Sequence, residues 1–190
     1  DLAAALECRG IGEGEKRQDQ GAIDVREYLE GTHWLIISAS TSLAGNSARS
    51  AWGASMAFAE LEGSKTVMIV DLPEDSQRLA EAWGNTIERI RQIHVLFITS
   101  DALSEISRLE GVAERDLLLE VRQRGLVSHV CGFIEPNLVQ VEHSLGSFKV
   151  ESASSISEMS WLAEFVCELP SSGPGPDGVK YAAEVAGIDD

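Results

Sequence analysis

The chain has 190 residues, enough for one domain with a buried core. Its apolar fraction of 44% is ordinary for a globular protein, and no apolar run reaches the length of a membrane span. The net charge of −16, from 31 acidic and 15 basic residues, disfavours nucleic acids and anionic membranes as partners. We therefore expect an acidic globular protein that binds neither nucleic acid nor membranes.

The cysteines and histidines exclude several classes of site. Cys8, Cys131 and Cys167 are odd in number and far apart, which argues against a disulfide framework or a zinc site. The histidines show no metal-ligand spacing either. The sequence thus predicts no metal site, and few unpaired cysteines fit a reducing, cytoplasmic location.

Composition along the chain predicts three regions. Residues 1–21 are polar and rich in glycine, and no strand precedes their glycines, which predicts a flexible N-terminal arm. Residues 22–169 contain the apolar patterns of an α/β domain. Residues 170–190 begin with a run of Pro, Gly and Ser and are predicted to be a linker and C-terminal tail. The first residue is Asp1 rather than Met, so we expect a domain cut from a longer protein.

Five segments are predicted strands, with helical patterns between most of them. The predicted strands are residues 34–40, 66–72, 94–100, 128–134 and 147–152. The first three are nearly continuous apolar runs, which is typical of parallel strands covered on both faces. Residues 136–146 are predicted to hold no more than a turn of helix.

This alternation of strands and helices predicts a three-layer α/β/α sandwich with right-handed crossovers. We expect a five-stranded, mostly parallel, doubly wound sheet of the flavodoxin-like or Rossmann-like type. Ligands of such sheets bind at the carboxyl ends of the strands. The loops that follow Ile37, Val70 and Ile98 should therefore meet at one edge.

The loop after the first strand contains most of the candidate site residues. It links a buried strand to a helix through small polar residues, and free backbone N–H groups at a helix start can face an anion. Asp71 ends the second predicted strand, and Thr99 and Ser100 close the third, so all three are placed at the same edge. The candidates in the loop itself are Ser38, Ser40, Ser42, Gly45, Asn46 and Ser47. The sequence identifies no catalytic residue.

Residues 38–49 resemble the phosphate loop of the NADPH-dependent FMN reductases, which are flavodoxin-like enzymes. The resemblance implies an NAD(P)H-dependent oxidoreductase with FMN as its cofactor, in which a nicotinamide delivers hydride to the flavin. Hydroxyl groups and backbone amides would hold the FMN phosphate. The residues placed around that phosphate by the resemblance are Ser40, Ser42, Gly45, Asn46 and Ser47.

The same segment is also similar to the start of a MinD-like P-loop ATPase. Gly45, Asn46 and Ser47 would occupy its Gly-Lys-Ser position, and residues 67–71 its second strand. Asn46 then stands where a lysine contacts the β- and γ-phosphates. This alternative implies a degenerate nucleotide-binding domain without ATPase activity.

A third hypothesis is a non-catalytic, structural Rossmann-like domain of a larger multidomain enzyme. Asp71 lies where an acid would bind the ribose of NAD, and residues 92–101 are mildly similar to the third strand of polyketide-synthase ketoreductase halves. For partners, we expect flanking domains of a longer chain or further copies of this one. The sequence leaves the three hypotheses open.

Overall fold

The computed structural model describes Tyr28, Leu29 and residues 31–189. The predicted N-terminal arm, residues 1–21, lies outside the described residues. Within the described part of the chain, no helix is long and apolar enough to cross a membrane.

Six strands form one sheet in this part of the chain. They are β1 (Trp34–Ser38), β2 (Lys65–Val70), β3 (Ile93–Ile98), β4 (His129–Glu135), β5 (Leu138–His143) and β6 (Gly146–Glu151). Strands β1 to β4 pair in parallel, and β5 and β6 continue the sheet as antiparallel neighbours. The order across the sheet is the order along the chain, from β1 to β6.

This strand order corrects the predicted doubly wound sheet of five strands. A doubly wound sheet has a point at which the strand order reverses, and a ligand binds at that point. No reversal occurs among the six described strands. Right-handed crossovers that always advance in one direction place their helices on one face of the sheet, so the chain needs a separate element to cover the other face.

The helices satisfy this requirement as two groups on opposite faces. They are α1 (Asn46–Glu62), α2 (Leu79–Glu88), α3 (Ser100–Glu110), α4 (Glu114–Gly125), α5 (Glu158–Ser172) and α6 (Pro176–Val185). The first four share one core with alternate residues of the central strands. Its fully or almost fully buried members include Met56, Trp83, Leu103 and Leu118 from the helices and Met68 and Leu96 from the sheet.

Helices α5 and α6 cover the opposite face and build a second core. The Trp161 ring stacks on the Phe165 ring with 4.8 Å between centroids, and Trp161 Nε1 donates a hydrogen bond to Ala183 O at 3.2 Å. Val179 is fully buried on α6. The structure therefore differs from the linker and tail predicted for residues 170–190, because α5 continues through Pro170 and α6 follows as part of the packed domain.

Strand β5 replaces the turn of helix predicted for residues 136–146. Its Val139 and Val141 face the second core, and Gln140 and Glu142 alternate with them, so that both kinds of residue are buried. Hydrogen bonds partly compensate for the burial of these polar side chains. The Gln140 side-chain amide donates to Glu142 Oε1 at 2.7 Å and to Arg115 O at 2.7 Å.

Candidate functional site

A carboxylate and two hydroxyl groups meet at the carboxyl ends of β1 and β2. Ser38 Oγ donates to Asp71 Oδ1 at 2.5 Å, and Ser40 Oγ donates to Asp71 Oδ2 at 2.8 Å. The two hydroxyl oxygens lie 2.7 Å apart. The hydrogen bonds between these residues hold the group in place. All three residues are half-buried, so a ligand can still reach them. We call Ser38, Ser40 and Asp71 the Asp71 group.

The parallel register of β1 and β2 places the Asp71 group. Ser38 pairs with Ile69, and the Ala39 amide donates to Ile69 O at 2.8 Å, so Asp71 emerges directly beside the loop that follows β1. Trp52 Nε1 on α1 donates to Ser38 O at 3.0 Å and fixes the backbone at that point.

A second polar contact lies at the end of β3. The Ser100 hydroxyl donates to Glu158 Oε1 at 2.5 Å, and the Ser100 backbone N–H lies 3.2 Å from each carboxylate oxygen of Glu158. The hydroxyl of Thr99 instead donates to Val70 O at 3.3 Å. Glu158 is in the first turn of α5 and is not among the residues that the sequence identifies. One sequence pattern could have indicated Glu158, namely an acidic residue directly after a serine that caps a helix. Ser157 is that cap, because its hydroxyl accepts a hydrogen bond from Ser160 N.

The remaining candidates from the first loop have different surroundings. Ser42 is 2% exposed; its hydroxyl donates to Ala39 O at 2.7 Å and accepts from Asn85 Nδ2 at 3.0 Å. Gly45 precedes α1 with φ of 109°, a left-handed value that favours glycine. Asn46 and Ser47 lie exposed in the first turn of that helix. The structure thus joins Ser38, Ser40 and Asp71, and it separates Ser42 from them as a buried turn residue.

An open pocket of about 510 Å³ lies between α3 and α4 beside the carboxyl end of β4. Three cationic side chains, Arg108, Arg115 and Lys149, line it together with the acids Glu114 and Glu135. Opposite charges nearly balance there, so the pocket presents no strong field of one sign. It also includes no member of the Asp71 group.

The site at the carboxyl edge is acidic. Asp71 and Glu158 both accept hydrogen bonds from protein hydroxyl groups, and the exposed Asp101 lies in the first turn of α3. Among the residues described, no three side chains of His, Cys, Asp or Glu form a group that could hold a metal ion. Carboxylates that receive hydroxyl hydrogens are suited to a ligand that itself carries hydroxyl groups.

The sequence of this chain matches no known family model and no curated protein. Its structure, in contrast, matches solved structures over most of its length. The PfkB protein from Polaromonas sp. JS666 is 12% identical with a TM-score of 0.71, over 90% of this chain and 57% of that one. The fold is that of the PfkB/ribokinase carbohydrate kinases.

Two further structures support this assignment of the fold. Adenosine kinase from Sinorhizobium meliloti has a TM-score of 0.68 at 12% identity, over 90% of this chain and 51% of that one. Fructokinase from Vibrio cholerae O395, in a form with fructose, ADP and calcium ion bound, has a TM-score of 0.59 at 16% identity, over 80% of this chain and 50% of that one. The chain spans between half and three-fifths of the length of these three proteins.

These matches correct the functional hypotheses drawn from the first loop. The resemblance to FMN reductases is wrong, and with it the oxidoreductase activity and the FMN cofactor, because the matched structures are sugar and nucleoside kinases. The MinD-like P-loop hypothesis is wrong for the same reason. The comparisons do not favour the structural Rossmann-like domain either. The loop is a poor guide to function because a strand, small polar residues and a helix start occur in many α/β folds.

Proposed function

We propose that this chain is a ligand-binding domain of the sugar- and nucleoside-kinase type. In this proposal the Asp71 group binds the hydroxyl groups of a sugar or of a nucleoside ribose. The observation that carries it is the Asp71 carboxylate, which already accepts two hydroxyl hydrogens at 2.5 and 2.8 Å at the carboxyl edge. The fold supports the class of ligand, since one matched protein is described with fructose bound and another is an adenosine kinase.

The chemistry of the Asp71 group explains why a polyol fits it. An ionised carboxylate has about four lone-pair positions, and Ser38 and Ser40 use only part of them. Two neighbouring hydroxyl groups of a ligand can therefore donate to the remaining positions as charge-assisted hydrogen bonds. The serine hydroxyls add groups that can rotate to donate or accept, which suits a ligand with several hydroxyls.

The proposal is tested by measuring ligand binding to Asp71→Asn by calorimetry or by ligand-observed NMR. Fructose, ribose and adenosine are the probes. The substitution keeps the size of the side chain but removes its charge, so we expect a loss of affinity of about tenfold or more, as for a hydrogen bond to a charged group.

The matched control is Asp101→Asn, which removes one negative charge from an exposed residue at the first turn of α3. It should bind the probes as the unaltered protein does. Saturable binding of none of the three probes, or equal affinity in Asp71→Asn and the unaltered protein, contradicts the proposal. Thermal melting of each variant shows whether the fold is intact.

A further inference from the structure

We propose that the pocket between α3 and α4 binds a small zwitterion of the amino-acid type. Its volume of about 510 Å³ is within the range of small-molecule sites, which is about 300–1,000 Å³. The pocket contains no member of the Asp71 group, so the proposal goes beyond the proposed function and does not depend on it. Unpaired charges, a buried hydroxyl group and the start of a helix support it.

The pocket contains charges of both signs that have no partner in the described part of the chain. Lys149 forms no ion pair there, and the side chains of Glu114 and Glu135 form neither an ion pair nor a hydrogen bond. The two arginines of the pocket, in contrast, have acidic neighbours at 2.5 and 3.8 Å. A ligand with one positive and one negative group would pair with charges of both signs, whereas a singly charged ion would be repelled by one kind.

A buried hydroxyl group in the wall of the pocket also lacks a partner. Ser107 lines the pocket from α3 and is only 7% exposed, and its Oγ forms no hydrogen bond with any described residue. A serine inside a helix can donate to the carbonyl oxygen one turn earlier, and a buried hydroxyl without any partner is costly. Because Ser107 lines the pocket, a polar group of a ligand can supply the partner that the protein does not.

The start of α4 adds backbone donors to the same pocket. Helix α4 has 12 residues, and its cap residue, Ala113, provides no side-chain hydrogen bond. Asp116 N and Leu117 N both donate to Ala113 O, whereas Glu114 N and Arg115 N donate to no atom of the described residues. Free N–H groups at a helix start favour a negative group such as a carboxylate.

Gln140 places Lys149 beside these backbone donors. Gln140 Nε2 donates to Arg115 O at 2.7 Å, which ties the first turn of α4 to β5. Lys149 on β6 is the register partner of Gln140, so the two side chains lie on the same face of the sheet. In this proposal the carboxylate of the ligand contacts Lys149 and the start of α4, and its ammonium group contacts the two glutamates of the pocket.

The experiment measures the binding of glycine, β-alanine, 4-aminobutyrate and 6-aminohexanoate by ligand-observed NMR. Along this series the carboxylate and the ammonium group move further apart, so the series identifies the spacing that the pocket accepts. Acetate and methylammonium are the controls, because each carries only one of the two charges. We expect at least one zwitterion to bind about tenfold more tightly than either control, as for a hydrogen bond to a charged group.

Three variants test the assigned contacts one at a time. Lys149→Gln and Glu135→Gln each remove one charge, and each should weaken binding of the tightest zwitterion by about tenfold. Ser107→Ala should weaken binding without lowering the melting temperature, because it removes a buried hydroxyl that has no partner in the described structure. The matched control is Lys180→Gln, an exposed lysine on α6 outside the pocket, which should bind as the unaltered protein does.

The outcomes that overturn the proposal are specific to this pocket. Binding of none of the four zwitterions, or binding no tighter than that of acetate and methylammonium, contradicts it. Unchanged affinity in both Lys149→Gln and Glu135→Gln also contradicts it, because the ligand would then lie elsewhere on the protein. None of these results bears on the Asp71 group, which is tested separately with fructose, ribose and adenosine.

Discussion

Two serines of the same short loop have opposite roles in the structure. Ser40 is half-buried and donates to Asp71 at the sheet edge, whereas Ser42 is enclosed between Ala39 O and Asn85. The pattern of small polar residues predicts both as ligand-binding residues. A 3-10 turn over Ser40–Leu43 separates them, because it directs the Ser42 side chain into the first core.

The contacts of Ser42 predict that Ser42→Ala lowers stability rather than ligand affinity. Removing the hydroxyl leaves Asn85 Nδ2 buried without this acceptor, which costs about 1–3 kcal/mol. Urea denaturation measures the loss. The control is Thr41→Ala, an exposed neighbour in the same turn, which should unfold at the midpoint of the unaltered protein. If Ser42→Ala also unfolds at that midpoint, this hydrogen bond contributes little to stability.

The residues at the strand ends could be predicted in part. Ser38, Asp71, Thr99 and Ser100 lie at the carboxyl edge as expected, because strand ends follow from apolar runs that the sequence shows directly. Their role in binding stays a prediction. Glu158 could not be found in the same way, since it is 58 residues from Ser100 in the chain and comes from the other helical layer.

At the scale of elements, β4 and β5 bring two histidines together at the amino end of β4. The rings of His129 and His143 stack with 5.0 Å between centroids. Burial, and then the charge of His143, lower the pKa of His129 to about 4. Burial, and then the charge of Arg122, lower the pKa of His143 as well. The strand pair thus disfavours the protonated form of both imidazoles.

These shifts predict that the protein loses stability as the pH falls. The unfolded chain protonates His129 near its ordinary pKa of about 6.5, while the folded protein resists protonation until about pH 4, so unfolding takes up protons between these values. His129 alone accounts for a loss on the order of 3 kcal/mol once the pH is below both values. Urea denaturation at pH 7 and pH 5 measures the part of this loss that falls between those two pH values.

The variant His129→Phe should weaken this pH dependence, because phenylalanine keeps a ring between His143 and Phe165 and cannot protonate. The control His33→Gln replaces an exposed histidine and should leave the dependence unchanged. An identical pH profile in His129→Phe and the unaltered protein would assign the effect to other groups.

Element types were largely predictable, and element order was not. Apolar runs locate the parallel strands to within two residues at most ends, but they do not reveal β5, because its buried Gln140 and Glu142 make its alternation look like a solvated loop. The apolar pattern of a doubly wound sheet is the same as that of a sheet wound in one direction. The difference is the face on which each helix packs, and residue spacing within a strand does not specify that face.

At the scale of the whole molecule, the second core depends on the last two helices. Helix α6 contributes Val179, Ala182 and Ala183, all fully buried, and Ala183 O accepts the hydrogen bond of Trp161. We therefore expect that ending the chain at Gly173 costs several kcal/mol or abolishes cooperative unfolding, because it exposes the aromatic side chains of this core.

Urea denaturation followed by tryptophan fluorescence tests this prediction. The control is Lys180→Ala on the exposed side of α6, which removes only a surface ion pair with Glu184 and should change stability by a few tenths of a kcal/mol. An unchanged midpoint in the shortened chain would mean that residues 174–190 are the dispensable tail that composition alone suggested.

The sequential order of the sheet also bears on how the chain can fold as it is synthesised. From β2 to β6, each strand pairs with the strand made just before it, so none of these described strands has to wait for a distant partner or be inserted between two strands already joined. A growing chain can add one strand and helix at a time to the face covered by α1 to α4. The six strands and α1 to α4 leave the opposite face uncovered, and the emergence of α5 and α6 from the ribosome is therefore the step at which these two helices cover its apolar surface.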